Sequence, residues 1–423
     1  MKNEGLTSEV PESAAVDTRI KLRNNKQYFS FAVARTLSTV GDGFGPVAIS
    51  FGVLGAVGGT PKILSLVLFC QIVPAVMMII FGGVIGDRFS ARIVLSGARI
   101  GSAVGYAGLA LLLMGSLRSP WLMCVAAGIT GLSQALFLPA SQKAVTALVE
   151  PDQLQQANGS LRLWANIGRI VGMSLGGIVV HAVGASTALG INSATFLIEA
   201  VMLAGAFPAG THTRARGSIV GDLRRGWKEF SSRQWLWSVV LQYTVVVASS
   251  NALTGVLGPM SAGYLGGAAA WGFATAAQAI GRVAGAWTTL RLRPNRPIFV
   301  AVLATFPTAA PMFVLAFHGD LIFLILVFFA AGVCSDIYNV LWGTTIQREV
   351  PQDSLAMVNS YDLLGSIAMA PIGLLAAGPA ADTWGTKPVL LTCGLLVTAA
   401  TAITLSVPGV RNLKAQSTLK GNS

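Results

Sequence analysis

The chain has 423 residues, 53% of them apolar and only 11% charged, with a formal net charge of +12 and a mean hydropathy of +0.66. A soluble domain is about 25% charged, so these residues cannot cover an ordinary water-facing surface. The apolar residues fall in long runs. Such runs suit helices, which need roughly 20 residues to cross about 30 Å of hydrocarbon, and exceed the roughly 9–11 alternating residues of a barrel strand.

Only helices and closed barrels satisfy their backbone groups in a bilayer, so an all-α membrane protein is expected. Residues 1–26 are polar, contain Glu4, Glu9, Glu12 and Asp17, and lack the apolar stretch of a signal peptide. They read as a disordered cytoplasmic tail. The pattern then predicts twelve transmembrane helices near 27–56, 62–86, 93–115, 120–146, 160–183, 187–208, 235–262, 269–291, 297–317, 320–346, 356–380 and 388–408. Two six-helix bundles, 27–208 and 235–408, are separated by a linker at 209–234, and 409–423 form a second tail.

In the first helix, Asp42 sits among Gly41, Gly43, Gly45 and Pro46, with Arg35 seven residues earlier on the same face. An ionisable residue at such a depth costs about 2.5–3.5 kcal/mol even on the lenient insertion scale, so it points to function. After the second helix comes Gly83-Val-Ile-Gly-Asp87-Arg88-Phe-Ser90-Ala91-Arg92. The glycine lets two helices approach, and Asp87 can cap or pair with a neighbouring helix end. This loop resembles the signature loop of the major facilitator superfamily at Gly83, Asp87, Arg88 and Arg92. Ser90 and Ala91 stand where that pattern has glycine and a basic residue, which weakens the clamp the resemblance implies.

The fourth helix carries Phe137, and the fifth carries Trp164, Arg169 and the glycines Gly159, Gly168, Gly172, Gly176 and Gly177. Gly168, Gly172 and Gly176 share one face, where small residues let helix backbones nearly touch. Spacing and position resemble the antiporter motif of facilitator-superfamily drug exporters, although Met173 stands where that motif has proline. Gly172-Met173-Ser174-Leu175-Gly176 also fits a hydrolase nucleophile elbow, which is rejected because that elbow needs a strand-to-helix turn and triad partners. Glu199 lies centrally in the sixth helix.

In the linker, Ile219, Leu223, Trp227 and Phe230 recur at helical spacing, with Arg224, Arg225 and Lys228 on other faces. A membrane-surface helix is expected there. The eighth helix holds Arg282, the tenth Asp336, Tyr338 and Trp342, and the eleventh Asp362 towards its cytoplasmic third. Asp42, Glu199 and Asp336 are therefore candidates for proton coupling, with Arg35, Arg169 and Arg282 as charge partners. The aromatics Phe137, Trp164, Tyr338 and Trp342 are candidates to line an apolar cavity, against the competing reading of packing or lipid-facing residues.

Most remaining Lys and Arg residues fall on one side of this helix map: Lys26, Arg88, Arg92, Arg99, Lys143, Arg162, Arg214, Arg225, Arg233, Arg291, Arg296, Arg348 and Arg411 among them. Lys62, Arg118 and Lys387 fall on the other. Positive loops stay cytoplasmic, so both termini are placed inside. The basic balance reflects topology and contact with anionic lipid, not nucleic acid. Cys70, Cys124, Cys334 and Cys393 have no paired spacing, so neither a disulfide nor a metal site is expected.

The halves repeat. At an offset of 201, Gly131, Val149, Leu154, Asn158, Leu163, Gly172 and Gly177 meet Gly332, Val350, Leu355, Asn359, Leu364, Gly373 and Gly378. Repeated halves are how many secondary transporters build alternating access, with substrate held near mid-membrane between them. There is no G-x4-G-K-[ST] for ATP, so energy comes from an ion gradient or from the substrate's own.

Leu136-Phe-Leu-Pro139-Ala140, Val149-Glu-Pro151-Asp and Leu154-Gln-Gln-Ala-Asn158 resemble the twelve-helix drug:proton antiporter branch that includes macrolide and siderophore exporters. So do Tyr338-Asn339-Val-Leu-Trp342, Val350-Pro351 and Asn359-Ser360, and the resemblance spans nearly all of the chain after residue 27. It implies the facilitator fold, proton antiport and outward movement of amphipathic small molecules. The expected partners are a small-molecule substrate, protons and lipids, with a monomer as the working unit and no cofactor. An importer of a nutrient is the alternative, and a membrane enzyme or receptor a weaker one, because His181, His212 and His318 are scattered.

Overall fold

The computed structural model describes residues 25–413 except 57, 89–90, 116–118, 151–152, 207–226, 229, 290, 293, 352–357, 359–360, 363 and 367–368. Both tails, most of the linker, and the repeat partners Leu355 and Asn359 fall outside the described residues. Helices α1 (Lys26–Gly55), α2 (Pro61–Arg88), α3 (Ala91–Met114), α4 (Pro120–Leu148), α5 (Leu154–Val183) and α6 (Ala185–Ala206) come first. There follow α7 (Gln234–Ala252), α8 (Gly267–Thr289), α9 (Pro297–Leu303, continuing as Ala310–Ala316), α10 (Leu321–Glu349), α11 (Ala370–Trp384) and α12 (Thr386–Ser406). Among the described residues, 10 helices are long and apolar enough to cross a membrane, and Pro61–Met77 is a shorter apolar helix. The Gly- and Ala-rich α8 is not one of the 10.

Local chemistry sets the ends. Asn25 caps α1 by accepting from the Tyr28 N–H at 3.0 Å, and Asp320 caps α10 by accepting from Phe323 at 2.8 Å. Gly184 (φ 88°) and Gly385 (φ 83°) end α5 and α11, in a backbone region that other residues rarely enter. These two are themselves 201 residues apart. Helix α5 starts at Leu154, earlier than the predicted 160, because its first turns are polar and extend beyond the apolar run.

Two predicted helices are interrupted. α7 passes through a π turn at Leu253–Leu257 into Gly258–Ser261 and a 3-10 turn, Ala262–Leu265. Pro259 has no N–H to offer the Gly255 carbonyl four residues back, and Ser50 Oγ from α1 donates to that carbonyl at 3.0 Å instead. α9 breaks around Thr305, where Phe306–Ala309 is 3-10 and Pro307 stands inside it. Thr305 compensates by joining a buried polar set, accepting from Gln242 at 2.8 Å and lying 3.0 Å from Thr401 Oγ1.

The repeat becomes geometry. Gly131 of α4 lets the Gln71 carbonyl of α2 come close, and Gly332 of α10 does the same for the Gln278 carbonyl of α8. Gly172 of α5 sits against the Val40 carbonyl of α1, and Gly373 of α11 against Ala248 of α7. Gly177 of α5 faces α8 at Ala268, while Gly378 of α11 faces α2 at Pro61 and Ser65. Each pair performs one packing task in the two halves. Cys70 and Cys124, expected to be isolated, are neighbours across α2 and α4.

The last pair of glycines, with Ser50 and Gly255, joins the halves. All of these contacts lie in the portion of each helix away from the chain termini, here called the far end. Beyond them, towards the terminal end, α5 and α8 part around a cavity. The two halves thus meet at the far end, and the cavity between α5 and α8 lies on the terminal side of those contacts.

Candidate functional site

Four helices of the first half bring charges together. Arg99 on α3 and Glu199 on α6 form an ion pair at 2.6 Å, with 3% and 0% of their side-chain surfaces exposed. Neither Glu199 oxygen accepts an aligned hydrogen bond among the described residues, but the Ser38 hydroxyl lies within reach of the carboxylate and Arg35 faces it as well. The Arg99 guanidinium lies 3.4 Å from the Phe137 ring centre and 5.0 Å from that of Phe196. Arg35 on α1 approaches the Phe137 ring from 4.7 Å. Asp42, on α1 and partly exposed, faces Arg99, Arg35 and Arg169 within electrostatic range. Three guanidiniums thus face two carboxylates.

Arg99 corrects the sequence reading, which placed it in a cytoplasmic basic cluster. It lies eight residues into a helix that starts at Ala91, about 12 Å deep at 1.5 Å per residue. That depth was the signal available. Tyr106, also unforeseen, is buried and stacks on Phe196 at 5.4 Å. Gln134 and Gln71 donate to its hydroxyl at 3.3 and 3.5 Å, and Gln71 also donates to Thr130 at 3.0 Å. Asp42 lies within electrostatic range of the same tyrosine.

Pro46 lies four residues beyond Asp42 and supplies no N–H to the Asp42 carbonyl, yet α1 continues through it to Gly55. Pro46, Gln71 and Gln134 line a cavity of about 400 Å³ between the halves, opposite Asn251, Trp271 and Gln278. A second cavity, about 240 Å³, adjoins it through Met173, Thr275, Gln278 and Arg282, and also receives Arg169 and Asp336. Arg169 and Arg282 are exposed there. Asp336 Oδ2 is buried without a hydrogen-bond partner among the described residues.

Three of the four aromatic candidates follow the packing alternative. Phe137, Tyr338 and Trp342 are buried, held by packing and charge, and do not line either central cavity. Tyr338 stacks on Tyr243 at 4.2 Å, and Trp342 Nε1 donates to Asp362 at 3.0 Å. Trp164 is half exposed and lines an outer groove between α1 and α5, with Tyr28 and Val33.

Of the motif glycines, Gly168, Gly172 and Gly176 pack on α1 and Gly177 on α8, while Gly159 faces open space. Met173 leaves α5 a single helix. Ser174 donates to the Ile170 carbonyl within that helix at 3.1 Å, as an ordinary helical serine does. Arg92 is partly exposed at the start of α3. The side chains of Gly83, Asp87 and Arg88 lie outside the described residues. At the terminal end, Trp227 and Phe230 of the linker pack on Tyr361, with ring centres 5.4 and 5.9 Å away.

A multi-pass helical protein of repeated halves, with a polar cleft between them closed at one end, is built as a secondary transporter. The model of the Major Facilitator Superfamily matches residues 28–370, and the chain belongs to that family of transporters; it is not an enzyme. It is 24% identical over 407 residues to the multidrug efflux pump Tap of Mycobacterium tuberculosis, covering 93% of this chain and 96% of that protein. It is 22% identical over 404 residues to the uncharacterized MFS-type transporter YfiS of Bacillus subtilis, covering 90% and 93%. The crystal structure of the nucleoside transporter NupG superposes with a TM-score of 0.72 at 13% identity, covering 92% of this chain and 100% of that one. That last likeness concerns the fold.

Proposed function

We propose that the chain is a proton-coupled exporter of drug-like or natural-product amphipathic molecules. In this reading it sits in the cell membrane as a monomer, with both termini cytoplasmic and the cleft open to the cytoplasm. The halves 27–208 and 235–408 rock about the cleft, with 209–234 as a surface linker and Asp87 as a clamp at the cytoplasmic end. The efflux activity named for Tap supports the direction of transport.

One observation carries the coupling: Asp42 is partly exposed, faces the buried Arg99, the partly buried Arg35 and the cleft-exposed Arg169, and lies within electrostatic range of Tyr106, which is hydrogen-bonded to the cavity-lining Gln134. A coupling carboxylate needs contact with both a proton path and a charge that responds to substrate. Glu199, enclosed and already paired with Arg99, suits an anchoring role better. Asp336 remains a second candidate because it faces the cleft from α10.

The test is export of a compound panel by cells expressing the chain, with and without a proton uncoupler. Resistance that collapses with the uncoupler is the expected result, and Asp42→Asn abolishes it while expression persists. If Asp42→Asn exports as well as the parent, Asp42 is structural and the coupling assignment is wrong.

A further inference from the structure

The cleft between the halves presents an unusual pair of like charges. Arg169 projects from α5 and Arg282 from α8 into one cavity. Each lies within the other's electrostatic range, and both are exposed to the cleft. Neither forms an ion pair or hydrogen bond among the described residues. A guanidinium presents five donors in a planar fork that matches an anionic oxygen pair.

We infer that Arg169 and Arg282 together bind the anionic group of the transported molecule, making the substrate class an organic anion. The inference rests on the transporter reading and adds its substrate class. The adjoining larger cavity defines the remainder of the molecule: Leu68, Ile72 and Trp271 supply apolar wall, and Gln71, Gln134 and Asn251 supply neutral donors and acceptors. A carboxylate, sulfonate or phosphate on an apolar body fits this division. Asp336 argues for the opposite class, since a carboxylate attracts a cation. It is one acid against two guanidiniums, and it forms no ion pair with Arg282 among the described residues.

The pair also links binding to motion. Arg169 belongs to one half and Arg282 to the other, so an anion between them removes their repulsion and draws α5 and α8 together at the open end. A ligand shifts a conformational equilibrium only by its differential affinity for the two states. A bridging anion has that difference, because it meets both arginines only when the cleft narrows.

The experiment uses the purified full-length chain and two probes of one shape, 2-naphthoate and 2-naphthylmethylammonium. Binding is measured by equilibrium dialysis and corrected for empty micelles. Naphthoate is expected to bind the parent at least about tenfold more tightly than the ammonium probe. Arg169→Gln and Arg282→Gln each weaken naphthoate about ten- to a hundredfold, the range for hydrogen bonds to charged groups, and Arg169→Lys restores part of the loss. Melting temperatures of the variants establish that they fold. A preference below twofold, a preference for the ammonium probe, or naphthoate affinity unchanged in both Gln variants overturns the inference.

The same probes in proteoliposomes separate this inference from the transporter reading. Binding of naphthoate without movement of any compound defeats the transport reading and leaves the anion site standing. Movement of the ammonium probe, with naphthoate neither bound nor moved, defeats the anion site and leaves transport standing.

Discussion

Replacing the members of the Arg99–Glu199 pair one at a time is expected to give unequal losses of stability. Arg99→Met leaves the Glu199 carboxylate with none of its surface exposed and only the Ser38 hydroxyl and the more distant Arg35 facing it. Breaking a buried pair in this way costs about 3–5 kcal/mol. Glu199→Gln leaves Arg99 against the faces of Phe137 and Phe196, which retain about 2 kcal/mol of cation–π attraction in a desolvated site. The amide oxygen can still accept a hydrogen bond, so the Gln variant should lose only about 1–3 kcal/mol.

For a unit the size of one six-helix half, about 2–4 °C accompany each kcal/mol. Arg99→Met should therefore lower the melting temperature by about 6–20 °C, and Glu199→Gln by about 2–12 °C. The double variant Arg99→Met/Glu199→Leu should recover most of the loss, because apolar replacement of a whole buried pair is often neutral or stabilising. Thermal unfolding in detergent reads all three. Equal losses for the single variants, or a double variant as unstable as Arg99→Met, would show that the pair is not the anchor described here.

Two further outcomes concern the closed far end, both read from the distance between spin labels at Lys62 and Trp384. Gly177→Val should hold α5 off α8, since a Cβ there would stand 2.6 Å from the Ala268 carbonyl; the distance widens and transport is lost while the protein still folds. Ser50→Ala removes one neutral hydrogen bond to Gly255, worth about 0.5–1.5 kcal/mol, and should shift the equilibrium towards far-end opening by about two- to twelvefold. An unchanged distance distribution in both variants would refute the closure described here.

The fold was largely legible because most of the helices carry a long apolar run, and a bilayer demands that. What escaped were interruptions whose cause is one proline: Pro259 converts part of α7 to a π turn, and Pro307 accompanies the break in α9. The carboxylates were legible as isolated charges in apolar runs, and so were Arg35 and Arg169 beside Asp42 and Arg282 beside Asp336, but Arg99 was not. Arg99 follows Arg92 closely in sequence and reads as part of a basic loop, whereas α3 carries it into the bundle. Phe137 and Trp342 offered no sign that their rings would hold Arg99 and Asp362 rather than face a cavity. A helix places every third or fourth residue on one face, but hydropathy alone does not say which neighbour that face meets.

The glycine helix shows how the two charged sites could communicate under the proposed function. Gly168, Gly172 and Gly176 seat α5 on α1 by backbone contact, and such close-packed surfaces resist continuous deformation. Arg169 sits within that stretch, so its distance to Arg35 and Asp42 stays nearly constant while the halves rock. Its distance to Arg282 and Asp336 does not, because they belong to α8 and α10 of the other half. Gly177, five residues beyond Gly172, touches α8 at Ala268 and Gly272, so under the proposed function the relative movement pivots there. Among the described residues, Arg169 is therefore the charge of the cleft fixed to the proton candidate on one side and exposed to the moving half on the other. An anion that takes up Arg169 weakens its hold on Asp42, and coupling of substrate to proton requires that exchange of partners and no longer pathway.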